Sequence, residues 1–366
     1  MAQKAGASGI LDIDLSERLH VDIGASCNNN CLFCMEDDRS GRSQRFGDLS
    51  LEAVAGILEA NAFRKAVVFV SGEPTLSPLF LPALLAARDK GFSSVGVISN
   101  GRRFAYLPFA RRALAHGLNV AMISIHGPDA ATHDALTRTP GAFAQTLAGL
   151  QNLNALRSEF PLRINTSTVL NQRNSDPDTL ARTVALLLPM VDQLVFNVMQ
   201  PFGRGDRFFD RLMLRYTDTA ERLAALFARY RGRHLPVHLV DIPYCCTEGR
   251  GIPESARGYV ERYVHYEPVA GPPCGRPDTP APEPGLLAGG AQRKLAMLAQ
   301  QEHPQGLPPT SSPLAEKHRD LQEQSQKVKR EECRGCAYFS DCDGVWRNYV
   351  SRFGMEEFAP VRRKEA

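Results

Sequence analysis

An α/β fold with a parallel sheet, closed or half-closed into a barrel, is the architecture this chain predicts. Three observations carry it. Six short runs rich in Val, Ile and Leu recur between residues 18 and 240, and amphipathic stretches lie between them. Glycines fall where those stretches should stop. The chemically special residues gather at the carboxyl ends of the runs, the face on which barrel enzymes keep their active sites.

The strands are predicted at residues 20–25, 66–71, 94–99, 120–125, 162–169 and 193–199, with a further one at 236–241. Ser50 can cap a helix that carries Leu51, Val54 and Leu58 on one face. A helix over 81–90 ends at Gly91 and one over 104–116 ends at Gly117, both suited to the left-handed position after a helix. Residues 141–156 form another. Beyond residue 267 the texture changes. Two Pro-rich patches, 268–290 and 304–313, read as linkers or lids. Residues 314–330 are charged and polar and predict a solvated helix. The domain reading is a core barrel over 15–215, a connecting helix and strand over 216–267, a flexible Pro/Gly-rich segment over 268–313 and a cysteine-bearing unit over 314–366.

A length of 366 residues allows one large core and a second unit. Hydrophobic content of 43% and charged content of 23% are ordinary for a globular protein. A formal charge of +3, spread along the chain, gives no footprint for nucleic acid. No apolar run is long enough to span a bilayer, and the first twenty residues lack the layout of a signal peptide. A cytoplasmic location is therefore expected, with no membrane partner. Nine cysteines would stay reduced there, which favours metal or redox roles over disulfides. They fall in three groups: 27, 31 and 34; 245, 246 and 274; 333, 336 and 342.

Cys27, Cys31 and Cys34 lie in the run CNNNCLFC after the first strand. Three thiolates can hold one iron–sulfur cube and leave its fourth iron open to a substrate or cofactor. A zinc knuckle is the competing reading. Ser71, Gly72, Glu73, Pro74 and Thr75 close strand 2, Ser99–Gly101 close strand 3, and Ser124 and His126 close strand 4. Asn165 and Thr168 lie on strand 5. Taken singly, Glu73 reads as a surface carboxylate, Ser124 and Asn165 as caps on strand-end backbone, and Arg138 as half of a surface ion pair. His126 and His133 carry no decisive signal. The ordered set favours a site.

These residues resemble the radical S-adenosylmethionine (radical SAM) enzymes over roughly residues 18–215. CNNNCLFC fits that family's CxxxCxxC loop, with Phe33 at the aromatic position. SGEPTL fits its GGEP motif, with Ser71 in place of the first glycine. The resemblance implies a partial (β/α)6 TIM-like barrel and an open-iron [4Fe–4S] cluster that chelates S-adenosylmethionine. An electron from a reductant such as flavodoxin or ferredoxin would cleave the cofactor to methionine and a 5′-deoxyadenosyl radical, which takes hydrogen from the substrate. Gly72, Glu73 and Pro74 would meet the cofactor's ammonium group and Ser124 its ribose. Arg138 would pair with its carboxylate, and Asn165 and Thr168 would line the ribose or adenine side.

The last group, CRGCAYFSDCDG, gives Cys333, Cys336 and Cys342 with Trp346 and Tyr349 behind them. It resembles the twitch or SPASM-type C-terminal domains that hold auxiliary [4Fe–4S] clusters. The full SPASM pattern has another cysteine near Trp346, and its absence here favours one auxiliary cluster over two. The fourth ligand should come from upstream. Cys245, just after a predicted strand, is the choice over Cys246 and Cys274. Zinc on the same four thiolates stays open at this stage. The substrate could be a ribosomally made peptide or protein, or a small carbohydrate or cofactor precursor. The first predicted strand near residue 20 leaves no N-terminal peptide-recognition domain, which weakens the peptide reading. A non-catalytic iron–sulfur electron carrier or redox sensor is the reading from another class.

Overall fold

A computed structural model describes residues 18–36, 46, 49–257, 263–268, 314–318 and 326–362. Nine strands form one sheet in the order β7-β6-β5-β4-β3-β2-β1-β8-β9. They are β1 (Arg18–Asp22), β2 (Ala66–Val70), β3 (Ser94–Ser99), β4 (Val120–Ser124), β5 (Arg163–Leu170), β6 (Gln193–Val198), β7 (Val237–Val240), β8 (Tyr263–Pro268) and β9 (Leu314–His318). The first eight run parallel and only β9 is antiparallel. The sheet curls as a partial TIM-like barrel that does not close, because β8 and not β7 takes the second side of β1.

Helices lie between the strands as the glycines and caps require: α1 (Leu51–Ala60), α2 (Phe80–Asp89), α3 (Leu107–Ala115), α4 (Ala130–Thr137), α5 (Ala142–Leu156) and α6 (Pro177–Leu187). Ser50 accepts from the Ala53 N–H as the cap of α1, and Gly91 and Gly117 take φ of 84° and 110°. After β6 come α7 (Arg204–Arg207), α8 (Phe209–Leu212) and α9 (Tyr216–Arg229), and α10 (Tyr244–Thr247) follows β7. Leu58, Phe69, Leu84, Ile123, Leu150 and Leu194 are fully buried between helices and sheet, in one continuous core.

The sheet continues past residue 215, through β7 and β8. The solvated helix expected over 314–330 is corrected. Leu314–His318 is a strand paired antiparallel with β8, and β10 (Lys327–Val328) pairs with β11 (Val345–Trp346). The free edge of β8 has unpaired backbone groups to satisfy, and that demand overrides the helical propensity of a polar run. The Pro/Gly-rich segment over 269–313, and Cys274 within it, lie outside the described residues.

The C-terminal unit, with α11 (Arg347–Phe353), sits on the carboxyl ends of β6 and β7. Lys327 Nζ lies 3.0 Å from Asp241 Oδ1 with both side chains buried, and 4.2 Å from the centre of the Trp346 ring. Gln200 donates to the other Asp241 oxygen, and Asn348 Nδ2 donates to Pro201 O at 3.0 Å. A buried pair with its partners in place is costly to break, so the unit is fixed to the barrel rim. No helix among the described residues is long and apolar enough to cross a membrane.

Candidate active site

The cysteine loop leaves β1 and is fastened by three other elements. Its three asparagines each have a holder. Asn28 Oδ1 accepts from Asn100 Nδ2 at 2.6 Å, and Asn29 Oδ1 accepts from Arg102 Nη1 at 2.9 Å. Asn30 Oδ1 accepts from Arg204 Nη1. The loop backbone is held as well. Asn30 N and Leu32 N donate to Thr137 O and Leu136 O at the end of α4, each at 2.9 Å, and Arg204 N donates to Cys34 O at 2.9 Å. Phe33 is buried with its ring edge-on to His126, centroids 4.6 Å apart.

Cys27, Cys31 and Cys34 are all half-buried on this loop. Burial, then the neighbouring Cys34 and Cys27, push the Cys31 thiol up to about 12. The three thiols share one short loop, with Cys34 and Cys27 near enough to act on Cys31, and iron would supply the positive charge that lets them be thiolates together. The donor set thus suits a cluster. No group of three or more His, Cys, Asp or Glu among the described residues is gathered tightly enough for a single ion.

The turn after β2 packs under this loop. Ser71 and Gly72 have φ of 83° and 56°. A Cβ on Gly72 would stand 2.6 Å from Ser26 O, so glycine is required there. Glu73 N donates to Ser26 O at 2.8 Å, and Pro74 opens a short 3-10 turn over Pro74–Leu76. The Glu73 side chain points inward and is 2% exposed. Its Oε1 accepts from Thr75 N, Thr75 Oγ1 and Ser99 Oγ at 3.2, 2.6 and 2.7 Å, and its Oε2 from Asn100 N at 2.6 Å. Burial pushes this carboxyl up, and the four donors hold it down. The carboxylate expected to reach a cofactor ammonium instead ties strands 2 and 3 together; the exposed edge of the turn is backbone.

Ser124 is half-buried at the carboxyl end of β4, and Ser167 stands opposite it on β5. Asn197 Nδ2 on β6 donates to Ser167 Oγ at 2.8 Å. Two sequence expectations on β5 need correction. Asn165 shares the inward face but sits toward the other end of the barrel, in a cavity with Arg18, His20, Met122 and Arg163, whose Nε donates to it at 3.3 Å. Thr168 is one residue out of phase and faces away, donating to Ile125 O at 2.6 Å. Side chains alternate along a strand, so the polar groups at the level of Ser124 are Ser167 and Asn197. That alternation was the signal that could have found them. Arg138 is exposed with φ of 51° and directly follows Thr137, at the rim of the cysteine loop.

His126 and His133 are buried, rings stacked 5.6 Å apart, and His133 Nδ1 accepts from His126 N at 3.0 Å. Asp129 caps α4. Burial lowers both imidazoles, His133 to about 4 from an ordinary 6.5. The unfolded chain therefore binds more protons between those two values, and stability falls as pH drops through that window. For His133 alone the expected loss between pH 7 and 4 is about 3 kcal/mol. Urea unfolding across that range measures it, and an unchanged loss in His133→Gln would assign the acid sensitivity elsewhere.

In the C-terminal unit, Cys245, Cys333, Cys336 and Cys342 line one cavity, together with Tyr338, Phe339 and Met355. Cys245 stands on α10, where Tyr244 stacks on Tyr338 with centroids 4.4 Å apart. Its neighbour Cys246 is fully buried in the core, away from that cavity. The Cys246 thiol donates to the Cys245 sulfur, which holds Cys245 down and pushes Cys246 up. Burial raises Cys333, and raises Cys342 to about 11, with the Cys245 sulfur adding to both.

The family model of the radical SAM superfamily matches residues 21–184. An AdoMet-dependent heme synthase of Methanosarcina barkeri is 33% identical over 187 residues, 50% of this chain and 51% of that one. The chain spans about half the length of the curated heme synthases it matches. Among solved structures, Streptococcus suis SuiB bound to S-adenosylmethionine aligns with a TM-score of 0.56 at 12% identity, over 95% of this chain and 77% of that chain. Native anSMEcpe with bound AdoMet aligns with a TM-score of 0.52 at 16% identity, over 94% and 92%. The asparagine-fastened cysteine loop and the Ser-Gly-Glu-Pro turn beneath it therefore lie within a radical SAM domain, that of a superfamily whose enzymes use a [4Fe–4S] cluster and S-adenosylmethionine.

Proposed function

We propose that this protein is a radical SAM enzyme that reductively cleaves S-adenosylmethionine and abstracts hydrogen from a small cofactor precursor, with a second cluster in its C-terminal unit. The observation that carries the reading is the placement of Cys27, Cys31 and Cys34 on one loop that is bonded to the Gly72–Pro74 turn, at the carboxyl ends of the strands. When bound, the cluster supplies one electron to the cofactor's sulfonium. This chain's residues do the positioning. The three thiolates hold the irons, and the backbone of the turn meets the ammonium group. Arg138 offers a planar fork to the carboxylate. Ser124, with Ser167 and Asn197 beside it, offers hydroxyl and amide groups to the ribose.

The cofactor-precursor class is favoured over a peptide because the 33% identical relative is named a heme synthase. Likeness to the peptide-bound neighbour SuiB is one of fold. Cys245, Cys333, Cys336 and Cys342 are the proposed ligands of the second cluster, on the strength of the cavity they share. Anaerobically reconstituted and reduced protein is expected to turn S-adenosylmethionine into methionine and 5′-deoxyadenosine, read by chromatography. Protein that holds its iron yet leaves the cofactor intact would be an electron carrier instead.

A further inference from the structure

Among the described residues, Arg204 is the one buried cation built against the cysteine loop for which that reading has no task. It is 7% exposed and opens α7. Its flanks are shaped to press it on the loop. Gly203 has φ of 51°, and a Cβ there would stand 2.1 Å from Met35 O. A Cβ on Gly205 would stand 2.7 Å from Gln200 O. The Arg204 N–H bonds Cys34 O at 2.9 Å, and one arm of the guanidinium, Nη1, bonds the side chain of Asn30, the residue before Cys31. The other donors, Nε and Nη2, are buried and meet no acceptor in the protein.

Two donor nitrogens of a buried cation left without acceptors are destabilising. Such an arrangement persists where something else accepts. With one arm anchored at Asn30 and its own N–H on Cys34 O, the guanidinium is held against the loop that carries the three cysteines. We propose that Nε and Nη2 of Arg204 donate to sulfur of the N-terminal cluster, the Cys31 thiolate or a sulfide next to it, and so favour its reduced state. Positive charge and N–H donors at cluster sulfur raise the reduction potential. This rests on the radical SAM reading above.

The test is an EPR-monitored redox titration of the reconstituted full-length protein. The N-terminal cluster is identified as the signal that changes when S-adenosylmethionine is added. Arg204→Gln is expected to keep its iron and to lower the reduced-to-oxidised ratio about tenfold at the wild-type midpoint, which is about 59 mV for a one-electron couple. Arg204→Lys keeps the charge without the fork and should fall between the two. If Arg204→Gln takes up no iron, Arg204→Lys carries the test, and its midpoint must still lie below wild type. A midpoint equal to wild type in whichever variant holds iron overturns the proposal. So does a loss of cofactor affinity with the midpoint unmoved, which would place the fork on the cofactor. A wild-type protein with no cofactor-responsive signal would sink the radical SAM reading itself, a separate outcome.

Discussion

Cys31→Ala is expected to abolish 5′-deoxyadenosine formation, and Cys27→Ala and Cys34→Ala to do the same. Each supplies one of three thiolates, and no other cysteine of the described residues stands near enough to substitute. The remaining cysteines of the described residues belong to the C-terminal cavity or, for Cys246, to the core. The loop that presents the three is held by Asn100, Arg102, Thr137 and Arg204. It cannot slide to recruit another donor. Chromatography of anaerobic turnover mixtures reads the product, and full turnover by any one of these variants would falsify the ligand assignment. Iron content separates loss of the cluster from loss of chemistry: about four irons should remain, in the C-terminal unit.

Cys245→Ala is expected to remove that second cluster, taking reconstituted protein from about eight irons to about four. Cys246→Ala should keep about eight on the same arithmetic. The two residues are adjacent, yet one lines the cavity with Cys333, Cys336 and Cys342 and the other packs in the core. Cys246→Ala costs only some core packing, and the hydrogen bond its thiol makes to Cys245. Iron analysis of both variants decides. Iron lost from Cys246→Ala alone, or from Cys274→Ala with Cys245→Ala intact, would move the fourth ligand. Zinc in place of iron would leave a structural site.

What the sequence disclosed followed from regular physics. Strands covered on both faces read as apolar runs, and helix stops read as Gly91 and Gly117. The spacing of Cys27, Cys31 and Cys34 belongs to a local loop, so it too was legible. Contacts between distant residues were not. Nothing local marks Asn28, Asn29 and Asn30 as rivets, because their holders lie 72 or more residues away. The resemblance gives Glu73 a cofactor ammonium as partner, which its charge suits. Its burial depends on Ser99 and Asn100 of the next strand. The resemblance assigns Asn165 and Thr168 to the ribose or adenine side, whereas depth and phase along β5 decide which groups meet Ser124. Residues 314–318 were read from their own polarity, but an edge of β8 that no local signal reveals recruits them as β9.

The placement of β8 beside β1 also sets a schedule for synthesis. Strand β1 is buried along its whole length, between β2 and β8. Its neighbour on the far side starts at Tyr263, whereas β1 ends at Asp22. A ribosome adding 5–20 residues per second needs on the order of tens of seconds to cover that gap. Throughout that interval one flank of the first strand is an open ladder of N–H and C=O groups, able to pair with any passing chain. A nascent chain stalled before residue 263 is thus the form of this protein most prone to aggregate, and the one with most need of a chaperone.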